Sequence, residues 1–195
     1  MMKTTKRNIG SMVFVTVLML SVSCKETNKK STPSAKESVE KQEVLDETGT
    51  MGSEQNVSSE SVLEDYFNLK NALVEDDNNS AKKLGGALAA SLGNLNKSAY
   101  MDSQQETLAA IAKDAQEYAV EISGSDLDSQ REHFKNLSVI ITDMIAITGS
   151  ESTIYEQYCP MYDGGTAWLS TEKAVLNPYY GSSMLRCGTV QREIN

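Results

Sequence analysis

Four apolar stripes between residues 59 and 148 leave this chain little freedom in how it can fold. Val62, Tyr66, Leu69 and Leu73 recur at three- and four-residue steps, and so do Leu84, Leu88, Leu92 and Leu95, with Ala81 ahead of them. Leu108, Ile111, Ala112, Ala115, Tyr118, Ala119 and Ile122 make a third stripe, and Phe134, Leu137, Ile141, Met144, Ile145 and Thr148 a fourth. This spacing gathers apolar side chains on one face of an α-helix, and such a face has to be buried against a partner. Breaks fall at Asp77-Asn78-Asn79, Asn96 to Asp102, Gly124-Ser125-Asp126 and Thr148-Gly149-Ser150. Ser61 with Glu64, and Ser103 with Glu106, have the capping-box spacing of helix starts. Gly85, Gly86 and Gly93 weaken the second helix, although small residues also allow helices to approach closely. The expectation is a mainly α protein, an antiparallel four-helix up-down bundle on short loops.

The last 43 residues, 153–195, differ in kind. They hold Trp168, five of the eight Tyr and two of the three Pro, without a helical stripe. Ile154 to Cys159 and Trp168 to Leu169 read as short extended pieces, with turns at Asn177-Pro178 and Gly181. A small irregular or β, aromatic-rich carboxyl-terminal appendage packed on the bundle is expected to complete one domain over residues 59–195.

The amino terminus reads as an address. Lys3, Lys6 and Arg7 precede an apolar run from Met12 to Val22 that ends in Ser21-Val22-Ser23-Cys24. A bilayer-spanning helix needs roughly 20 apolar residues, so this run suits a signal peptide better than a permanent anchor. Residues 1–23 resemble a bacterial lipoprotein signal peptide, with Cys24 as the acylated first residue of the mature chain, although Leu20 stands four places before the cysteine rather than the usual three. A soluble secreted protein cut nearby is the alternative. Residues 24–58 follow as the acylated cysteine and a tether of Lys, Glu, Ser, Thr and Asn, too poor in apolar side chains to offset its chain entropy and therefore expected to be disordered. As a flexible coil it would reach about 30–35 Å. The expected location is extracytoplasmic, facing the periplasm or on the outer membrane, held by a lipid anchor.

Composition narrows the chemistry. The net charge is −9, and losing the three cations of residues 1–23 takes it to −12, which argues against nucleic acid as a partner. His133 is the only histidine, so a His-rich zinc or di-metal site is excluded. Ser138 has no second histidine to supply a general base of the familiar kind, and no enzymatic role is expected.

What remains is sulfur. Cys159-Pro160-Met161 and Met184-Leu185-Arg186-Cys187 place two thiols and two thioethers in the tail, donors that suit Cu(I) better than oxygen-seeking cations. On an extended segment Cys159 and Met161 point the same way, whereas Met184 and Cys187 converge only if their segment curls. A disulfide is the competing reading. With Cys24 acylated, Cys159 and Cys187 are the two thiols left, and a bridge between them would stabilise the tail by about 3 kcal/mol in the chain-entropy model. Met161 and Met184 would then be packing residues. His133 reads either as a flank residue of the fourth helix or as a further ligand that docks the tail on it.

Tyr158-Cys159-Pro160-Met161, Trp168-Leu169-Ser170, Asn177-Pro178-Tyr179-Tyr180-Gly181 and Met184-Leu185-x-Cys187-Gly188 stand in order along the tail. Together with Gln130-Arg131-Glu132-His133-Phe134 and Leu137-Ser138, they resemble a widespread bacterial domain of unknown function over about residues 60–190. That domain occurs in Gram-negative lipoproteins and is similar to a module on periplasmic adaptor subunits of heavy-metal (copper/silver) efflux systems. The resemblance implies Cys159, Met161, Met184, Cys187 and His133 as candidate Cu(I) ligands and heavy-metal efflux components as partners. With a long tether and no adaptor hairpin, the chain would be a stand-alone version that sequesters the ion or delivers it to efflux. The alternative is a structural or protein-interaction lipoprotein with a Cys159–Cys187 disulfide.

Overall fold

The computed structural model of the chain describes residues 56–195. The apolar leader, Cys24 and the tether up to residue 55 lie outside the described residues. Four helices form: α1 (Ser59–Val74), α2 (Asn78–Gly93), α3 (Asp102–Gly124) and α4 (Leu127–Thr148). Their buried faces carry the four stripes, with Val62, Tyr66, Leu69 and Leu73 on α1 and Phe134, Leu137, Ile141, Met144 and Ile145 on α4. Consecutive helices pack on one another, as an up-down bundle requires. No helix among the described residues is long and apolar enough to cross a membrane.

Gly85 explains why α2 survives its glycines. A Cβ there would lie 2.9 Å from Ile122 Cγ2 and 3.0 Å from the Ala119 carbonyl oxygen, so the missing side chain is what lets α2 and α3 touch. The cost in helix propensity, about 1 kcal/mol, is set against that closer packing, and Leu84 is left only half-buried.

Two of the expected helix starts move. Ser58, not Ser61, caps α1, its hydroxyl accepting from the Ser61 N–H at 3.1 Å. At α3 the cap is Met101, whose N–H donates to Gln104 Oε1 at 3.2 Å, while Ser103 lies inside the first turn. Asp77 and Asp126 cap α2 and α4 by accepting from Ser80 and Ser129, at 2.9 Å and 3.0 Å. The end of the expected tether is engaged as well: Val57 donates to the Asn94 carbonyl at 2.9 Å and accepts from Asn96 N–H at 2.8 Å.

The appendage is more regular than its sequence suggests. β1 (Ile154–Cys159), β2 (Thr166–Ser170) and β3 (Thr189–Ile194) form an antiparallel sheet in the order β2-β1-β3. An aromatic column joins it to the bundle. Tyr66 of α1 stacks on Phe134 of α4 at 5.1 Å, Phe134 lies 6.0 Å from Tyr179, and Tyr179 meets Tyr162 at 4.7 Å and Trp168 edge-on at 5.7 Å. Its phenol hydroxyls are paired across elements. The Leu169 N–H donates to the Tyr66 hydroxyl at 3.1 Å, which lies 2.8 Å from Ser138 Oγ, and the Tyr179 hydroxyl donates to the Ala167 carbonyl at 2.7 Å. Ser138 therefore bonds α1 rather than its own helix. Burial pushes both phenols, Tyr66 and Tyr179, well above their ordinary value, so they stay neutral donors.

Candidate functional site

β1 ends on Cys159, paired in register with Thr166 across the β1–β2 hairpin. The connecting loop needs left-handed backbone at Asp163 (φ 46), Gly164 (φ 74) and Gly165 (φ 125). A non-glycine residue in that region is costly and persists only when its surroundings hold it. Two residues of α4 do so here: Lys135 Nζ donates to Asp163 Oδ2 at 2.5 Å, and Glu132 accepts from the Tyr162 hydroxyl at 2.7 Å and from Lys135 at 3.0 Å. Those bonds raise the Lys135 ammonium above its ordinary value and lower the Glu132 carboxyl, which keeps the pair charged. The Tyr180 hydroxyl donates to the Met161 carbonyl at 3.0 Å and ties the loop to the next segment.

That next segment is organised by Asn177, which is wholly buried. Its Oδ1 accepts from the N–H groups of Tyr179 and Tyr180 at 2.8 Å and 3.1 Å, its Nδ2 donates to the Cys187 carbonyl at 2.7 Å, and its own N–H donates to the Leu185 carbonyl at 2.9 Å. A short 3-10 turn, Gly181–Ser183, follows, and the Cys187 N–H then donates to the Met184 carbonyl at 2.9 Å. The backbone thus curls between Met184 and Cys187, the condition under which their side chains converge. Gly188 finishes the return. A Cβ there would lie 2.9 Å from the Tyr158 carbonyl oxygen and 3.0 Å from the Trp168 ring, at a φ of 141°. Only glycine lets β3 begin this close to β1.

The result of these two turns is a thiol pair. Cys187 precedes Gly188, which packs on the Tyr158 carbonyl just before Cys159, so the two cysteines are neighbours, and both are free. Cys159 is completely buried, Cys187 half-buried and Met161 64% exposed. The neighbouring Cys159 thiol, followed by burial, pushes the Cys187 thiol above its ordinary value. Met184 is half-buried beside the turn.

His133 goes elsewhere. Its Nδ1 lies 2.9 Å from Glu121 Oε2, and its ring is 6.4 Å from that of Tyr118, both on α3. Of its two readings the flank position is the one it occupies, linking α3 to α4. Among the described residues, no group of three or more His, Cys, Asp or Glu side chains is placed to hold a metal ion. The structure thus brings Cys159 and Cys187 together and leaves His133 on another face.

Docking is done by a residue read only as part of a motif. Arg131 is 8% exposed; its Nε donates to the Pro178 carbonyl at 3.0 Å, and its guanidinium to the Leu73 carbonyl at 3.2 Å and to Asp76. Asp76, at φ 59, also accepts from the Ser182 hydroxyl at 2.6 Å and the Ser182 N–H at 3.1 Å. The signal was present in the sequence: Arg131 lies three residues before Phe134, on the apolar stripe, where a cation needs a partner.

The Ser182 hydroxyl, then its N–H and Arg131, hold the Asp76 carboxyl below its ordinary value of 3.8, against an opposing effect of burial that is second only to the hydroxyl. A lowered folded-state value means that the stabilisation is complete above the ordinary value and is lost as pH falls through the lowered one. Acid titration followed by Trp168 fluorescence is expected to show the tail loosening below about pH 4, and Asp76→Asn should remove that acid limb while weakening the tail at neutral pH.

An antiparallel helical bundle carrying a small thiol-bearing sheet is the class that fold and site define. Residues 62–153 match the model of a family described as a protein of unknown function (DUF3347), so the helical part contains a domain of unknown function. The match ends before β1, and the sulfur-bearing tail lies beyond it. No curated protein and no solved structure matches the chain.

Proposed function

We propose that this protein binds a soft monovalent cation, Cu(I) or Ag(I), as cargo, through the thiolates of Cys159 and Cys187 with thioether help from Met161 and Met184. The observation that carries this reading is the close return at Gly188, which sets the Cys187 thiol beside Cys159 at the end of β1, with an exposed Met161 two residues on. Thiolate and thioether sulfur select Cu(I), and a site with few ligands gives up its ion by ligand exchange more readily than a closed four-ligand cage. His133, turned to Glu121, is left out of the ligand set proposed here. In this reading the chain is a lipoprotein anchored through Cys24 and facing the periplasm, and it sequesters the ion or hands it to heavy-metal efflux components.

Anaerobic Cu(I) titration of the reduced protein against a competing chelator, with Zn(II) for comparison, tests the proposal. Cys159→Ser with Cys187→Ser should abolish tight binding while circular dichroism keeps its helical signal, and Met161→Leu should weaken Cu(I) by about tenfold, or 1.4 kcal/mol. Undiminished affinity in the double variant removes the site. The same thiol proximity favours a second reading, a structural or interaction lipoprotein whose tail is closed by a Cys159–Cys187 disulfide. No free thiol in protein purified without reductant, together with no metal uptake after mild reduction, would decide for that alternative.

A further inference from the structure

The two thiols are neighbours across the β1–β3 return, yet they differ in access. Cys159 is fully buried at the end of β1, covered by the Cys187 turn, whereas Cys187 is half-buried with its backbone held by Asn177 and Met184. A dissolved disulfide of ordinary size can reach only the outer sulfur, and whatever it leaves there lies within reach of the inner one. We infer that Cys187 and Cys159 form an ordered thiol–disulfide exchange pair for low-molecular-weight disulfides, Cys187 attacking first and Cys159 resolving, and that the resulting bridge closes the soft-metal site.

The exchange balances as follows. The Cys187 thiolate attacks one sulfur of RSSR, forming a Cys187–S–S–R mixed disulfide and releasing RS⁻. The Cys159 thiolate then attacks the Cys187 sulfur, forming Cys159–S–S–Cys187 and releasing a second RS⁻. Two electrons pass from the protein thiols to the small disulfide, and the two thiol protons end on the released thiols as 2 RSH. The β1–β3 pairing of Tyr158 with Thr189 and the close approach of Gly188 to the Tyr158 carbonyl already set the second sulfur beside the first. In the bridged form neither sulfur is a thiolate, and the strongest donors for a soft cation are gone. The exchange rests on the thiol proximity alone; the closing of the metal site rests on the function proposed above.

The test uses the full chain with Cys24→Ser, so that only the tail thiols report. A brief iodoacetamide pulse on the reduced folded protein, followed by peptide mapping, should label Cys187 at least tenfold faster than Cys159, and in urea the difference should vanish. Glutathione disulfide should then convert the protein to an internal disulfide that retains no glutathione. Cys159→Ser should instead keep one glutathione on Cys187, and Cys187→Ser should stay largely unmodified. Equal labelling of both thiols in the folded protein overturns the order, and a lasting mixed disulfide in the protein with both cysteines overturns the resolving role. An Ag(I) arm separates the two proposals. Uptake by the reduced form alone, with Ag(I) protecting the thiols from glutathione disulfide, supports gating, and equal uptake by both forms overturns it. No uptake by the reduced form, with the thiol order intact, sinks the metal-binding function and the gating but not the exchange pair.

Discussion

Arg131→Ala is expected to undock the carboxyl-terminal sheet while leaving the four helices formed. The guanidinium is the only group reaching from α4 to both the Pro178 carbonyl of the tail and the Leu73 carbonyl at the end of α1, and it pairs with Asp76, which in turn holds Ser182. Truncation takes this donor from two carbonyls and a carboxylate, in a position only 8% exposed; Leu73 keeps the Asp76 N–H and Asp76 keeps Ser182, whereas the Pro178 carbonyl loses its partner. Hydrogen bonds to a charged group contribute about 1.5–3 kcal/mol each, but Asp76 is partly solvated, so a total loss of about 2–4 kcal/mol is the reasonable scale. Arg131→Lys should fall in between, because an ammonium keeps the charge but cannot span three acceptors with a planar fork. Urea unfolding by circular dichroism measures the loss, and limited proteolysis locates it: cleavage should appear between residues 160 and 190 first. Unchanged tail protection in Arg131→Ala would show that the aromatic column alone docks the sheet.

The same clamp shows where a sequence stops being readable. The helical stripes are local, repeating every three or four residues, so four helices and their buried faces could be read directly. The clamp is not local: Arg131 and Asp76 are 55 residues apart, and Ser182 and Asp76 are 106 apart, so nothing in the sequence linked them. β3 was hidden for another reason. Thr189–Ile194 is an edge strand with an exposed face and only Val190 and Ile194 apolar, too little alternation to register as a strand. For the thiols, the sequence offered Cys159 and Cys187 but left open whether they came together. Their meeting depends on the close return at Gly188 and on Asn177 holding the Cys187 carbonyl, each visible only once β1 and β3 are paired. His133 had two readings because its neighbour Phe134 belongs to the core; one residue along a helix turns the side chain by about 100°, here toward Glu121 on α3.

Trp168→Ala is expected to damage stability and to expose the thiol pair at once. Across β1 and β2, Trp168 stands opposite Gln157, and Cys159 opposite Thr166, so all four share the buried face of the sheet. The indole is 1% exposed, meets Tyr179 edge-on and lies against Gly188, the residue after Cys187. Removing it opens a cavity under the turn that carries the outer thiol, and Trp-to-Ala changes in cores cost about 3–5 kcal/mol. The loss should come from packing rather than from the indole N–H, because Trp168 Nε1 has no hydrogen-bond partner, and neither has Gln157 Oε1. Trp168→Phe should therefore retain most of the stability, since it keeps an aromatic ring and discards an unpaired buried donor. The functional readout follows the packing. In Trp168→Ala, iodoacetamide should reach Cys159 nearly as fast as Cys187, whereas Trp168→Phe should preserve the difference between them. A Phe variant as unstable as the Ala variant would mean that the N–H is satisfied in solution by bound water and that the indole acts as a polar link rather than as packing.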